Sequence, residues 1–282
     1  MTTLNLATAT LLELFPSSDN WLAGSVKSDL GNGKVVVLLP GLKNAGSRPE
    51  MECNGFAPNA DGVFEISSAQ KLKWFANFVN DGNTWVRAKL TADIRLNAGK
   101  TVLNSDGTLF NNGSGLEQWT PIGTTKKPFE GTFDGDGHTI SGLYFNNESK
   151  DSVGLFGVVD VYGKVMNVGV EDSYIRGRDD VGGIVGGNYG TVSDVYNTGS
   201  VSGTSTYVGG VVGDNSGSVN NAYNTGSVQG ADEVGGVVGS CYGTNGSVSA
   251  VYNTGVVSGT GKSVGSVIGN NSENVSISNS YF

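Results

Sequence analysis

The chain has 282 residues, including 45 Gly and 6 Pro, and 15% of its residues are charged. That is too little charge for a disordered tail, and the glycines lack the three-residue period of collagen, so we expect a folded protein. The net charge of -9 and the absence of a Lys/Arg cluster in the sequence argue against nucleic acid and anionic membrane as partners.

The first 60 residues differ in character from the rest. Residues 11–15 have the pattern of a helical turn, residues 34–39 that of an apolar strand, and residues 41–60 that of a loop. The opening segment lacks a basic region and carries Glu13 among its apolar residues, which is not the pattern of a secretory signal, and no apolar run predicts a membrane span. We expect residues 1–60 to form a small irregular arm that serves attachment or oligomerisation.

Residues 61–118 contain a helix pattern. A capping box at residues 67–70 is followed by apolar residues at helical spacing and by an Asn-Asp-Gly stop at residues 80–82. The spacing predicts one amphipathic helix of about a dozen residues, with Leu72, Phe75, Ala76 and Val79 on its apolar face. We expect this helix to cover the first coil of the following repeats, residues 88–96 to form the first strand, and regular stacking to start at residues 119–123.

From about Trp119 to the last residue the chain repeats itself. A Val-Gly-Gly row begins at residues 181, 208 and 234, and variants begin at residues 153 and 264, so the starts lie 26 to 30 residues apart. A second row, ending in Tyr-Asn-Thr-Gly, begins at residues 192, 219 and 248, with looser copies at residues 140, 165 and 277. A third short segment of the Ser-Val-Ser-Gly type completes each unit.

Such a period with three short β-prone segments predicts an all-β fold, a parallel β-helix (β-solenoid) in which each unit is one coil. Residues 119–282 would hold about six regular coils at the ~4.8 Å spacing of neighbouring strands. The chain stops at Phe282 within a row. We therefore expect either that the final aromatic residues cover the last coil, or that this open coil continues or meets a partner, which allows an oligomer through this coil or the N-terminal arm.

Stacking places equivalent side chains above one another. It predicts an aromatic stack of Tyr196, Tyr223 and Tyr252 beside an amide ladder of Asn197, Asn224 and Asn253. The same reasoning places two columns of small apolar residues in the core: Val195, Ala222, Val251 and Ser280, and Val192, Val219, Val248 and Ile277. Whether the tyrosines point inward, whether the Gly pairs form a bulge or a corner, and the handedness all stay open. The tyrosines and asparagines are the candidate ligand-binding residues, since exposed aromatic rings bind sugars.

The densest polar group is Asp134, Asp136 and His138. It indicates either a Ca²⁺ loop or an acid and base pair, whereas Asp and Gly are also simply the residues of a tight turn. The turn interpretation is favoured because the EF-hand spacing and its bidentate Glu are missing. We therefore expect no cofactor and no catalytic residue, with Asp134 and Asp136 as the candidates if calcium binds. The two cysteines, Cys53 and Cys241, have no metal-type spacing and predict unpaired thiols.

Two acidic pairs, at residues 179–180 and 232–233, precede Val-Gly-Gly rows two coils apart. They would lie along one edge of the solenoid, as a cation site or as a glycosidase pair. Solvated turn charges are the favoured interpretation.

The segment at residues 131–143, the Val-Gly-Leu-Phe-Gly row at 153–157 and the repeated Val-Gly-Gly and Tyr-Asn-Thr-Gly rows together resemble the GLUG-motif repeats of bacterial surface and secreted proteins. The resemblance covers residues 62–282. It implies a β-helical region of the kind found in adhesin-like proteins and beside the catalytic part of some immunoglobulin-cleaving metallopeptidases. With His138 as its single histidine, the chain departs from the two-histidine zinc motif of such peptidases.

Three functions are open at this point. The leading hypothesis is a non-catalytic surface or adhesin-like module that binds or displays carbohydrate or protein, at a cell surface or outside the cell. The second is a structural or decoration protein of a virion, which fits the missing leader and the unlike arm. The third is a polysaccharide lyase or glycosidase on a β-helix, which needs a catalytic group that the sequence does not reveal.

Overall fold

The computed structural model describes residues 56–243, 245–272 and 275–282, and two short strands nearer the N-terminus. The chain divides into two compact units, residues 1–52 and residues 53–282. In the first unit, β1 (Lys27–Ser28) pairs antiparallel with β2 (Val35–Val36), which lies within the strand predicted for residues 34–39. The helical turn predicted for residues 11–15 and most of the loop predicted for residues 41–60 lie outside the described residues.

The second unit is a parallel β-solenoid, which confirms the predicted fold class. Its described strands form four sheets, S1 to S4, and a complete coil passes through them in that order. Sheet S1 contains β3 (Val63–Ile66), β4 (Arg87–Leu90), β5 (Ile94–Arg95), β6 (Thr132–Asp134), β7 (Thr139–Ser141), β10 (Lys164–Glu171), β14 (Thr191–Asn197), β18 (Ser218–Asn224), β22 (Ser247–Asn253) and β26 (Ser276–Tyr281).

The other three sheets are smaller. Sheet S2 contains β8 (Tyr144–Asn146), β11 (Tyr174–Gly177), β15 (Ser200–Gly203), β19 (Val228–Gly230) and β23 (Val257–Gly259). Sheet S3 contains β12 (Val181–Gly182), β16 (Val208–Gly209), β20 (Val234–Gly235) and β24 (Val264–Gly265). Sheet S4 contains β9 (Phe156–Val159), β13 (Val185–Asn188), β17 (Val212–Asn215), β21 (Val238–Cys241) and β25 (Ile268–Asn271).

The solenoid has about five turns among the described residues, rather than the six predicted. Sheets S2 and S4 each contain five strands, and the sixth copy of the second row, at residue 277, contributes only β26. The start of the regular stacking also differs from the prediction. Residues 119–123, where regular stacking was expected, form no strand and pair through an isolated bridge, Ile122 to Phe156, and a hydrogen bond from the Trp119 amide to the Tyr144 carbonyl. The first strand of the solenoid is β3, which precedes the helix in the chain. The strand predicted at residues 88–96 is divided into β4 and β5.

Each complete coil has four strands, not three, because the Val-Gly-Gly row divides between S3 and S4. The glycines at the division do not have positive φ. They are required by close approach: a Cβ on Gly210 would overlap the carbonyl oxygen of Gly236 in the next coil and the side chain of Asn224. The row is therefore a corner where neighbouring coils leave no room for a side chain.

A left-handed residue at the same place in neighbouring S1 strands turns two valines inward at a spacing of three, and the strands stay paired one to one on either side of it. Val192 and Val195 are both buried, which confirms the two predicted columns in the central coils. Strict alternation would place them on opposite faces, but Asp194 between them has φ 55°. Asn221 and Ala250 have positive φ at the same place in the next two coils.

The predicted helix is present as α1 (Ala69–Asn80). Ser68, one residue later than the capping box predicts, accepts a hydrogen bond from the Lys71 amide at its N-terminus. The four apolar residues predicted for its inner face are fully buried. The centroid of the Phe75 ring lies 6.3 Å from that of Phe129 and 6.2 Å from that of Phe133. The helix therefore extends the core of the first coils.

Candidate functional site

The tyrosine row lies on the outer surface of S1. Tyr196, Tyr223 and Tyr252 pair in register in β14, β18 and β22, as the repeat predicts. Their ring centroids are 4.8 and 4.9 Å apart, with planes within 6° of parallel. Tyr252 is 42% exposed, and the other two are partly exposed. The structure thereby decides the direction that the sequence left open: the tyrosines point outward.

The stacked rings cover one another's faces, so solvent reaches mainly their edges and hydroxyl groups. At one end of the stack the Tyr196 ring lies over Gly169, which takes the tyrosine position in β10. The Tyr196 hydroxyl donates a 2.6 Å hydrogen bond to the Glu171 carboxylate. Partial burial and this hydrogen bond hold the pKa of the Tyr196 hydroxyl above its ordinary value, so it remains protonated at neutral pH.

A surface depression of ≈ 380 Å³ adjoins this end of the stack. It is lined by Asp136, Gly137, Asn167, Val168, Gly169, Asp194 and Tyr196. The Asn167 amide donates to Asp134, and Asp136 pairs with Lys89 at 2.9 Å. The depression therefore combines an aromatic ring with carboxylate and amide groups.

The asparagine ladder lies inside the coil. The Asn197 side chain donates to Asn224 at 2.9 Å, and Asn224 donates to Asn253 at 2.8 Å. Each asparagine also bonds the backbone of the glycine two residues later. All three are buried, so they fix the turn after each strand and do not reach a ligand on the surface. Of the six candidate ligand-binding residues, only the tyrosines are available for binding.

A second amide ladder was not foreseen from the sequence. Asn188 donates to Asn215 at 2.7 Å, and Asn215 lies 3.1 Å from the sulfur of Cys241 in the next coil. Asn188 and Asn215 each precede a glycine by two residues, as in the Tyr-Asn-Thr-Gly row, and that shared spacing was the available signal. Cys241 is a free, buried thiol whose pKa is raised by burial. Cys53 lies outside the described residues.

The three polar residues at 134–138 do not converge. Asp134 accepts hydrogen bonds from the Asp136 amide and from Asn167, and His138 lies 3.1 Å from Asp93. Asp136 has φ 51°, as expected for a tight turn. Within the described residues, no group of three or more His, Cys, Asp or Glu side chains is arranged to hold a metal ion.

The acidic edge gains a member that the sequence did not indicate. Glu233 and Asp180 precede Val-Gly-Gly rows two coils apart, and both carboxylates, together with Asp214 of β17, raise the pKa of Tyr207 in the coil between them. In the sequence, Asp214 opens an Asp-Asn-Ser-Gly run, which is typical of a turn. Only the packing of S4 beside this edge brings Asp214 close to Tyr207.

Asp214 is a buried carboxyl group, 7% exposed. Its Oδ2 accepts a 2.7 Å hydrogen bond from the Tyr242 hydroxyl, and its Oδ1 is buried without a hydrogen-bond partner among the described residues. Burial raises the pKa of Asp214 to about 6, the Tyr242 hydrogen bond opposes the rise, and repulsion from Asp180 and Glu233 adds to it. Burial also raises the pKa of Asp180.

In the part of the chain that the structure describes, no helix has the length and apolar character needed to cross a membrane.

The repeats match known sequences. Residues 177–202 match the family described as the GLUG motif. The chain is 37% identical over 145 residues to halomucin of Haloquadratum walsbyi, which covers 51% of this chain and 2% of halomucin. It is 36% identical over 80 residues to a "Putative Gly-rich membrane protein" of Evansella cellulosilytica, which covers 27% of this chain and 9% of that protein. The matches thus span a small part of the length of these relatives.

A solved structure has a similar fold. The crystal structure of a "putative immunoglobulin A1 protease" from Bacteroides ovatus superposes with a TM-score of 0.61 over 79% of this chain and 68% of that chain. The two sequences are 24% identical, so the likeness concerns the fold alone.

Proposed function

We propose that this chain, a GLUG-motif repeat protein, is a non-catalytic binding and display module at a cell surface, and that its ligand is an extended carbohydrate. The observation that carries the proposal is the outward tyrosine stack, which runs along S1 and ends at the depression beside Tyr196.

Carbohydrate fits this face better than an apolar ligand does. Sugars carry many hydroxyl groups, and the tyrosine face offers phenolic hydroxyls and ring edges next to the polar groups of Asp136, Asn167 and Asp194. The rings recur in three successive coils, so a chain-like ligand would meet the same chemistry at each step along the stack. One sugar unit would occupy the depression, and the following units would lie along the exposed ring edges.

The surface location rests on the relatives. One is named as a Gly-rich membrane protein, and this chain matches 9% of its length. A module of this kind would be one part of a larger protein, and the rigid solenoid would hold the binding face away from its point of attachment.

Binding is proposed in preference to catalysis because of how Asp214 is enclosed. A pKa of about 6 suits a general acid, but one carboxyl oxygen bonds Tyr242 and the other is buried. A catalytic acid must lie within hydrogen-bond reach of its substrate, and Asp214 lines neither of the two surface depressions of ≈ 380 and ≈ 230 Å³ that could hold one.

Glycan-array screening followed by calorimetric titration of the glycans that bind tests the proposal. Tyr196→Ala is expected to weaken glycan binding at least tenfold, since it removes the ring at the depression. Tyr196→Phe keeps the ring and loses the bond to Glu171, so it should weaken binding less. The control is Tyr162→Ala, which removes an exposed tyrosine that lies neither in the stack nor in the depression.

Melting temperatures of all variants separate binding from folding. The proposal fails if no glycan binds the wild type, or if Tyr162→Ala weakens binding as much as Tyr196→Ala does. It also fails if turnover of a bound polysaccharide is observed and is lost in Asp214→Asn.

A further inference from the structure

We propose that a second site, on the outer face of S2, binds a small oxyanion such as a carboxylate or a sulfate group. The site is a depression of ≈ 230 Å³ lined by Arg176, Ser202, Gly203, Thr204, Gln229, Gly230, Ala231 and Thr260. It is called the S2 depression below. It shares no residue with the depression beside Tyr196, and the proposal does not rest on carbohydrate binding there.

The S2 depression results from one short side chain between two long ones. Arg176, Ser202 and Gln229 are in register in β11, β15 and β19, so they follow one another along the outside of the sheet. Neighbouring strands are ~4.8 Å apart, and the arginine and glutamine extend well beyond the serine hydroxyl. The serine therefore forms the floor of a hollow whose walls come from the coils on either side.

Two residues that line this hollow each carry a buried polar atom without a hydrogen-bond partner among the described residues. Ser202 is 8% exposed, and its hydroxyl has no hydrogen-bond partner in the described part of the chain. The Nε of Arg176 is likewise buried, with no partner among the residues that the structure describes. Unpaired buried polar atoms cost stability, so natural proteins keep few of them, and here two belong to residues that line the same hollow.

The chemistry of the lining selects an anion. A guanidinium, a serine hydroxyl, a glutamine amide and the Thr204 hydroxyl can donate hydrogen bonds to a ligand, the Thr260 hydroxyl already donates to the Ala231 carbonyl, and the lining contains no carboxylate. The Arg176 guanidinium interacts with the Tyr174 hydroxyl and pairs through Nη2 with Glu148 at 2.8 Å, whereas its Nε has no partner among the described residues. An arginine that offers Nε beside a hydroxyl group is suited to oxygen atoms of a planar or tetrahedral anion.

The size of the hollow limits the ligand. Sites for whole small molecules usually occupy about 300–1,000 Å³, so a hollow of ≈ 230 Å³ accepts one compact group. Such a group can be a free ion or the acidic substituent of a larger molecule. The donors at the floor recognise the oxyanion in both cases.

Titration of the full chain with sodium sulfate, sodium glucuronate and glucose, followed by NMR, tests the proposal. Saturable binding of sulfate or glucuronate, with at least tenfold weaker or no binding of glucose, is expected. Glucuronate without sulfate would identify an acidic substituent on a saccharide as the ligand, and binding of both would show that the oxyanion alone suffices. Equal binding of glucose that persists in Tyr196→Ala, or no saturable binding of either anion, overturns the proposal.

Matched variants locate the binding. Arg176→Gln should weaken anion binding at least tenfold, whereas Arg178→Gln makes the same change of charge at an exposed arginine that pairs with Asp151 outside the hollow and should leave binding unchanged. Equal effects of the two variants would indicate general electrostatics and refute the site.

The serine variants provide a readout that a structural role would not give. Ser202→Ala should weaken anion binding several-fold and leave the melting temperature unchanged or higher, because it removes a buried hydroxyl that has no partner. Ser200→Ala, in the same strand but outside the hollow, is its control. A lower melting temperature with unchanged binding in Ser202→Ala would overturn the proposal. Tyr196→Ala must leave anion binding intact, so failure at the tyrosine face and failure here are distinguishable.

Discussion

Replacing Asp214 by asparagine is expected to stabilise the protein at neutral pH and to have little effect near pH 4. Asp214 shares its column in S4 with Gly187, Ser240 and Asn270, so an amide already occupies the equivalent place two coils away. The asparagine keeps an oxygen to accept the Tyr242 hydrogen bond and removes the charge.

The expected size of this stabilisation follows from the pKa of Asp214. Burial raises the pKa of Asp214 from 3.8 to about 6, so the folded protein binds this proton more tightly than the unfolded chain does. The contribution of the group to stability is therefore greatest below pH 4 and is lost as the pH rises to about 6. Each pKa unit corresponds to about 1.4 kcal/mol, so the ionised carboxylate costs ~3 kcal/mol at pH 7.5.

Urea unfolding of wild type and Asp214→Asn at several pH values between 4 and 8 measures the effect. The variant should be more stable by ~3 kcal/mol at pH 7.5, and the difference should shrink towards zero at pH 4. The difference between the two proteins is the quantity to compare, because Asp180 also has a raised pKa and contributes to both curves with the same sign.

The control is Asp194→Asn, which makes the same chemical change at an exposed carboxylate of S1 with a backbone conformation that asparagine tolerates. Its stability should stay within about 0.5 kcal/mol of wild type at every pH. A gain from Asp214→Asn that does not vary with pH, or a loss at pH 7.5, would refute the account of a buried, ionised carboxylate.

Three further substitutions probe the fold, all measured by chemical unfolding. Asn224→Ala removes the hydrogen bonds to Gly226 and Asn253 and the acceptor of Asn197, so it should lower the free energy of unfolding by ~3–5 kcal/mol. Asn253→Ala in the next coil should lower it by less, and equal losses would contradict the cooperative ladder. Gly210→Ala should destabilise the protein by ~3 kcal/mol or more, because its new Cβ would overlap Gly236. Gly187→Ala should cost under ~1 kcal/mol, because its new Cβ would meet no atom closer than 4.0 Å. The reversed order of stabilities would exclude close approach as the reason for glycine. Phe75→Ala should lower the free energy of unfolding by ~3–5 kcal/mol and promote association through the uncovered first coil, which light scattering detects. A monomer of unchanged stability would show that α1 does not cover the core.

The sequence determined the coil and its register. Residues of the same kind recur every 26 to 30 positions, and identical side chains pair well only when they lie on neighbouring strands, so Tyr196 had to lie beside Tyr223. The helix at Ala69–Asn80 was also predictable, since its cap and its apolar spacing are properties of one short segment.

Only the tertiary structure decided which side chains face outward. The left-handed residue Asp194 interrupts the alternation of β14, so counting by twos from Val192 gives the wrong face for Tyr196 and Asn197. Asp214 and the S2 depression lay beyond the sequence for a related reason. Their surroundings come from different coils and sheets, and burial, pKa and an unpaired hydroxyl depend on those neighbours, not on the local run of residues.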